Sequence, residues 1–252
     1  MTGTLYLVPN ALDFGVSEAG LGDLQQVLPL GVIRIAARLP CWVAENAKTT
    51  RAFLKRVNEI VPLEQPLQSI AIVELPRPPK GGACAPEPNL RALLAPAMAG
   101  QDVGLISEAG LPAIADPGAD LVAVAHALHL RVEALSGPSS LLMALSASGL
   151  NGQSFAFVGY LPIDAAARQT RIRELEALSR RARQTQLMIE TPYRNAALLG
   201  ALLGTLAGGT RLSISCGLTL EQGWSRTDTV AGWKSAAMAV PNDRPAVFGL
   251  LG

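Results

Sequence analysis

Between Asp102 and Leu150 the chain twice passes from a short apolar stretch into a loop of glycine, proline and serine, then into a helix start. Val103–Ile106 is the kind of apolar run buried in a parallel sheet. It empties into Ser107-Glu108-Ala109-Gly110-Leu111-Pro112 and on to Asp116-Pro117-Gly118. Aspartate before proline there predicts an N-cap with proline at the first helical position, opening a helix that runs to about His129. Residues 131–135 read as the next strand, which stops at Ser136-Gly137-Pro138, with Ser139 and Ser140 in the first turn of a further helix. Any one glycine or proline reads most simply as a turn residue. The whole string, strand–loop–helix repeated, places two loops at one edge of a sheet, where α/β proteins bind ligands.

The N-terminal half alternates in the same way, as a doubly wound sheet requires. Thr4–Val8 alternates like a strand and runs into Pro9-Asn10-Ala11-Leu12-Asp13. Residues 32–39 suit a short helix, Cys41–Ala44 a short strand, and Glu45-Asn46 precede an amphipathic helix through Arg56. Residues 69–75 are a further strand, 76–88 a proline- and glycine-rich loop, and 89–98 a helix leading to the central stretch. Beyond Leu150, strands are expected at 155–160, 186–190, Arg211–Cys216, 224–230 and 244–252, with Trp233 in or near a helix. A long helix spans about 165–183 and carries Arg168, Arg171, Arg173, Arg180, Arg181 and Arg183 against Glu174 and Glu176. That face suits phosphate contacts, or equally a salt-bridged surface open to solvent.

At 252 residues the chain is one large domain or two small ones, with a sizeable core either way. Charged residues are 16% and the net charge is +1, so any surface that attracts nucleic acid must be local. Cys41, Cys84 and Cys216 are odd in number and far apart, which suits a reduced, cytoplasmic protein and not a disulfide framework or a cysteine-rich zinc site. His126 and His129, the only histidines, read as helix-face residues, and no metal is expected. The opening residues have no charged stretch ahead of their apolar run, so no secretory leader is expected, and no apolar run is long enough to span a bilayer. Lys80 precedes Gly81 and Gly82 rather than following them, so there is no P-loop. A dinucleotide Gly-x-Gly-x-x-Gly is absent as well.

The central string resembles the ligand loop of the tetrapyrrole (corrin/porphyrin) methylase superfamily, whose members use S-adenosylmethionine. Gly110 and Pro112 fall on that loop, with Leu111 where most of the superfamily has aspartate. Ser107 to Pro112 and Asp116-Pro117-Gly118 are more similar to the branch that methylates a ribose 2'-hydroxyl (of cytidine) in small-subunit ribosomal RNA, which shows Ser-Asp-Ala-Gly-Thr-Pro before its Asp-Pro-Gly. Ala44-Glu45-Asn46-Ala47-Lys48 resembles that branch's Ala-Glu-Asp-Thr-Arg, and Tyr160-Leu161-Pro162 its Phe-Leu-Pro. Glu190-Thr191-Pro192-Tyr193-Arg194 resembles its Glu-Ser-Pro-His-Arg. Cys216, Gly217 and Leu220 stand where it has Arg, Glu and Lys.

The resemblance implies an α/β, two-domain tetrapyrrole-methylase-like fold with the cofactor cleft between domains, here divided into 1–114 and 115–252. It implies S-adenosylmethionine as cofactor, held by Gly110, Pro112, Ile114, Ala115, Ser139, Ser140, Pro245 and Ala246. Glu45 and Glu190 are the expected catalytic carboxylates. Asn46, Lys48, Arg51, Arg168, Arg171 and Arg194 are the expected contacts to an RNA substrate. Glu45 and Asn46 read equally well as helix-entry residues. A homodimer is implied too, and cytoplasmic methylation of RNA is the expected activity. The alternatives are methylation of a small, tetrapyrrole-like molecule and an inactive protein that binds cofactor or RNA.

Overall fold

A computed structural model describes residues 2–13, 22–76 and 89–252. The loop expected at 76–88, apart from Pro76, lies outside the described residues, as does Cys84. The chain forms two compact units, Met1–Pro138 and Ser139–Gly252. The sequence placed the division at 114/115, whereas the structure keeps the next strand with the first sheet, where it pairs with the opening strand.

The first unit is built on a five-stranded sheet in the order β3-β2-β4-β1-β5. Its strands are β1 (Thr4–Val8), β2 (Cys41–Ala44), β3 (Ala71–Glu74), β4 (Val103–Ile106) and β5 (Arg131–Ala134). Every pairing is parallel, so each crossover carries a helix and both faces are covered. On one face α1 (Leu30–Arg38) and α2 (Ala47–Ile60) bury Ile33, Ala36, Phe53, Leu54 and Val57 against Tyr6, Val8, Trp42 and Ile106. On the other, α3 (Leu90–Leu93), α4 (Ala95–Met98) and α5 (Ala119–Ala127) cover Leu5, Val43, Val103 and Leu105. Alternate residues of β1 and β2 thus serve opposite cores, the two-residue period of a strand. The single helix expected over 89–98 is two short ones, because Pro96 lies in the first turn of α4 and has no N–H to continue α3.

The second unit has a five-stranded sheet in the order β6-β7-β10-β8-β9. Its strands are β6 (Phe155–Phe157), β7 (Thr185–Glu190), β8 (Arg211–Cys216), β9 (Trp224–Thr229) and β10 (Ala246–Leu251). β6 and β7 are parallel and the other pairs antiparallel. α6 (Ser140–Ser148) packs Leu141 and Leu145 on Leu187 and Val247. α7 (Ala165–Ala182), α8 (Asn195–Thr205) and α9 (Val230–Ala236) belong to the opposite core with Met188, Ile214, Phe248 and Trp233. The expected strand at 155–160 ends three residues early, and Val230 opens α9 instead of closing β9. No helix among the described residues is long and apolar enough to cross a membrane.

Gly104 tests the packing of the first sheet. A Cβ there would lie 2.7 Å from Cε3 of buried Trp42 and 3.0 Å from Cδ1 of Leu39. Overpacking costs about 1–3 kcal/mol, more than the roughly 0.4–1 kcal/mol gained by stiffening the unfolded chain. Gly104→Ala is therefore expected to lower the denaturant midpoint with an unchanged m-value.

Candidate functional site

Because the first sheet is parallel, all five strands end at one edge, and the loops after β1, β2, β4 and β5 emerge together. Asn10 ties two of them. Its backbone N–H donates to Gly110 O at 2.9 Å and its carbonyl accepts from Gly110 N at 3.1 Å. Its side-chain Nδ2 donates to Ser107 O and Glu108 O at 3.3 and 3.0 Å. Gly137, after β5, needs its missing side chain because a Cβ would come within 2.2 Å of Pro9 Cβ. Asp13, the last described residue of the β1 loop, is ion-paired to Arg56 of α2 at 2.9 Å.

The 107–118 loop has an unusual backbone. Gly110 sits at φ 69°, Ala113 and Ala115 both at 65°, and Gly118 at 131°. An L-residue in the left-handed region costs roughly 1–2 kcal/mol, and two alanines there within three residues mark a backbone held for a purpose. Gly110 and Pro112 are buried, while Ile114 and Ala115 are exposed. All four expected cofactor residues of this unit therefore lie on one strained loop at the carboxyl edge.

Asp116 is not the helix cap the sequence suggested. Gly118 occupies that position with no side-chain cap, and α5 begins at Ala119. The Asp116 carboxyl is half-buried beside Ser107, Glu45 and Glu108, and its pKa is pushed up to about 7. Burial is the largest cause and the negative charge of Glu45 the next; Ser107 opposes the rise and Glu108 adds to it. Ser107 Oγ, buried, faces this carboxyl and favours its charged form. Sequence reading missed Asp116 because Asp-Pro-Gly looks the same whether it caps a helix or faces a site.

Glu45, the expected catalytic residue, accepts from Glu108 N through Oε2 at 3.0 Å and so fixes the start of the same loop. Asn46 is the N-cap of α2, its Oδ1 accepting from Lys48 N at 2.9 Å and Thr49 N at 3.4 Å, as expected of a helix-entry residue. Lys48 and Arg51 are exposed on the first turns of α2, near Glu45 in the chain. Among the described residues no group of three or more His, Cys, Asp or Glu is arranged to hold a metal ion.

In the second unit the mixed sheet also gathers residues at one edge. Ala246, the first of β10, is paired with Glu190, the last of β7, and with Cys216, the last of β8. Buried Glu190 is consumed locally: Oε2 is ion-paired with Arg194 at 3.0 Å, and Oε1 accepts from Thr191 N at 2.8 Å. Pro245 O accepts from Gly217 N at 2.9 Å. Gly217 has φ 63°, which disfavours the glutamate of the resembled branch. Burial raises the pKa of Cys216, so this thiol stays protonated and unreactive. Ser139 caps α6 through Oγ, accepting from Leu142 N, and Ser140 is the first residue of that helix. Arg168 and Arg171 lie on α7, where Arg171 is ion-paired with Glu174 at 3.1 Å.

The sequence profile of the Tetrapyrrole (Corrin/Porphyrin) Methylases matches residues 19–225. Ribosomal RNA small subunit methyltransferase I of Mesorhizobium japonicum is 40% identical over 138 residues, covering 55% of this chain and 46% of that protein. Its counterpart in Pseudomonas aeruginosa is 40% identical over 112 residues, covering 44% and 38%. The match thus spans about half the length of these relatives or less. Uroporphyrin III C-methyl transferase of Thermus thermophilus, solved with S-adenyl homocysteine, superposes with a TM-score of 0.53 at 21% identity, covering 99% of this chain and 97% of that one. Its native form gives 0.52 at 20% identity, with the same coverage. At such identities the likeness is one of fold, and it agrees with two α/β units of the observed size. With the profile covering most of the chain, the protein belongs to the tetrapyrrole (corrin/porphyrin) methylase family.

Proposed function

We propose that this chain is an S-adenosylmethionine-dependent methyltransferase whose acceptor is a hydroxyl oxygen of small-subunit ribosomal RNA. The observation that carries the reading is the 107–118 loop: a strained backbone at the carboxyl edge of a parallel sheet, with a half-buried carboxyl of raised pKa beside it. The names of the relatives support the RNA, and the S-adenyl homocysteine of the Thermus thermophilus structure supports the cofactor.

The residues present fit the cofactor. Small side chains at Ala113 and Ala115, with the backbone turned left-handed, leave peptide groups reachable by a ligand. Exposed Ile114 supplies apolar surface on the same loop. Pro245 and Ala246, and Ser139 and Ser140 at the start of α6, are the proposed contacts of the second unit. S-adenosylmethionine, when bound, supplies a methyl group on a positively charged sulfur, so no covalent nucleophile is needed from the protein. What the chain must do is position the acceptor and remove its proton.

Asp116 is the residue suited to that proton. A hydroxyl acceptor must lose one, whereas a ring nitrogen with a free lone pair need not, and a base works best with a pKa near the working pH. The carboxylate of Asp116 accepts the hydroxyl proton, while Glu45 holds the loop and raises its neighbour's basicity by charge repulsion. Glu190, with both oxygens engaged, shapes the 190–194 turn rather than moving protons. Lys48, Arg51, Arg168, Arg171 and Arg194 are the proposed contacts to RNA phosphates, and a cytoplasmic homodimer is the proposed setting.

Calorimetry is expected to show S-adenosylhomocysteine binding that is lost in Gly110→Val, where a side chain meets both φ 69° and Leu12 Cδ2 at 3.2 Å. Labelled methyl transfer to small-subunit RNA from cells lacking the protein is expected to rise with pH to a plateau above about pH 7, as Asp116 ionises. Glu45→Gln moves that limb to lower pH, and Asp116→Asn lowers the rate about 10²–10⁴-fold. Because the raised pKa favours the protonated folded state, ionising Asp116 removes stability as pH climbs from about 4 to about 7. Asp116→Asn is therefore more stable than the parent at pH 8, by a margin that closes toward pH 4. Sedimentation at micromolar concentration that gives only 26.3 kDa would count against the dimer.

A further inference from the structure

The edge of the second sheet presents aromatic surface that the methyl-transfer reading leaves without a role. Past the end of β6 the chain continues beside β7, with Val158 N donating to Leu187 O at 2.8 Å and Ile189 N to Gly159 O at 3.2 Å. It turns outward at Gly159, φ 71°. Tyr160 is then 58% exposed and Ile163 78% exposed, while Leu161 between them is buried in the core of the unit and anchors the loop. On the neighbouring strand β7 ends at Glu190, and the turn after it leaves Tyr193 72% exposed. That turn is held by Arg194 N donating to Thr191 O at 2.9 Å and by the Arg194–Glu190 pair. Two tyrosines therefore emerge from adjacent strands on rigidly tied loops.

Cations border them. Arg168 Nη1 donates to Ile163 O at 3.1 Å, which brings the first turn of α7 to the Tyr160 loop. Arg171 follows one turn on, exposed, and Arg194 is the residue next to Tyr193. Large apolar side chains grouped at one edge mark a partner surface more than scattered ones do. The chemistry of this one is specific. Rigid aromatic faces next to guanidinium groups suit flat, electron-rich rings joined by negative charges, which describes an unpaired polynucleotide strand. A purely apolar protein partner would be met by fewer charges at the centre of its footprint.

We propose that Tyr160 and Tyr193 stack on unpaired bases of the RNA strand, with Arg168 and Arg171 on its phosphates, so that the substrate is bound single-stranded. This rests on the reading of RNA as acceptor and adds the form in which it is taken. Each tyrosine carries its own share, and the ring face rather than the hydroxyl is the binding group.

The test uses the full chain and a labelled, unstructured RNA of about 12 nucleotides, free or annealed to its complement, followed by fluorescence anisotropy. The single strand is expected to bind about tenfold more tightly than the duplex. Tyr160→Ala and Tyr193→Ala each weaken strand binding about 5- to 100-fold. Tyr160→Phe and Tyr193→Phe stay within about twofold of the parent, because stacking needs only the ring. S-adenosylhomocysteine binding is unchanged in all four variants, which shows that they fold. Equal affinity for strand and duplex, or alanine variants that bind like the parent, would overturn the platform while leaving RNA as acceptor intact. A parent protein that binds neither form, yet methylates a small molecule, would remove both readings together.

Discussion

The first strand leaves its sheet at Val8, and within two residues it is bonded to the loop that leaves the neighbouring strand. Asn10 makes this junction with its backbone and its side chain at once, bridging to Gly110 and donating to the carbonyls of Ser107 and Glu108, while its Oδ1 accepts from Ala11 N at 2.9 Å. It is buried, so each of these groups would go unsatisfied without the others, at about 1–3 kcal/mol for each orphan. Everything downstream depends on it. With Gly110 fixed, the left-handed turns at Ala113 and Ala115 can return the chain to Gly118 and the start of α5. That return brings Asp116 to Glu45 at the end of the adjacent strand. A strained loop persists only where its ends are determined from outside, and Asn10 determines one of them.

Much of the frame was readable because the strands of a buried sheet differ so clearly from what joins them. Val103–Ile106, Cys41–Ala44 and Arg211–Cys216 match the observed strands residue for residue. α8 was missed for the opposite reason. Its sequence, Asn-Ala-Ala-Leu-Leu-Gly-Ala-Leu-Leu-Gly-Thr, is apolar on nearly every face and has no polar stripe to reveal a helical period. The site was legible as a place but not as chemistry. Gly110, Pro112, Ile114 and Ala115 do share one loop, but the residue with the altered proton affinity is Asp116, whose neighbours Glu45, Ser107 and Glu108 come from two separate stretches of chain. Asn46 shows the same limit in reverse, for only the bonds to Lys48 and Thr49 show that it caps α2.

The two sheets reach a similar end by different routes. Parallel pairing brings every strand end of the first sheet to one edge through long crossovers. In the second sheet antiparallel β10 runs against β7 and β8, so its first residue lies between their last ones. Ala246, Glu190 and Cys216 are thereby neighbours although they are far apart in sequence. The charges missing at 216 and 217, relative to the resembled branch, follow from this geometry. Position 216 is fully buried, where an arginine would have to be desolvated, and Gly217 takes a left-handed turn with Gly223 packed against its carbonyl. The hairpin between β8 and β9 trades side-chain charge for a tight bend.

Glu45, Glu108 and Asp116 place negative charge at the carboxyl edge, where a polyanion is repelled unless cations stand beside it. Lys48 and Arg51 stand there, on the first turns of the helix that Asn46 caps, one residue beyond Glu45. Exposed charges act over roughly 8 Å at physiological salt, so on the proposed reading these cations serve phosphates at the rim. On the proposed reading the division is useful. A sugar hydroxyl, being neutral, reaches Asp116 without charge repulsion, while the phosphates on either side of it are held at the rim. On that reading the charge of Glu45, which adds to burial in raising the pKa of Asp116, also disfavours the approach of a phosphate.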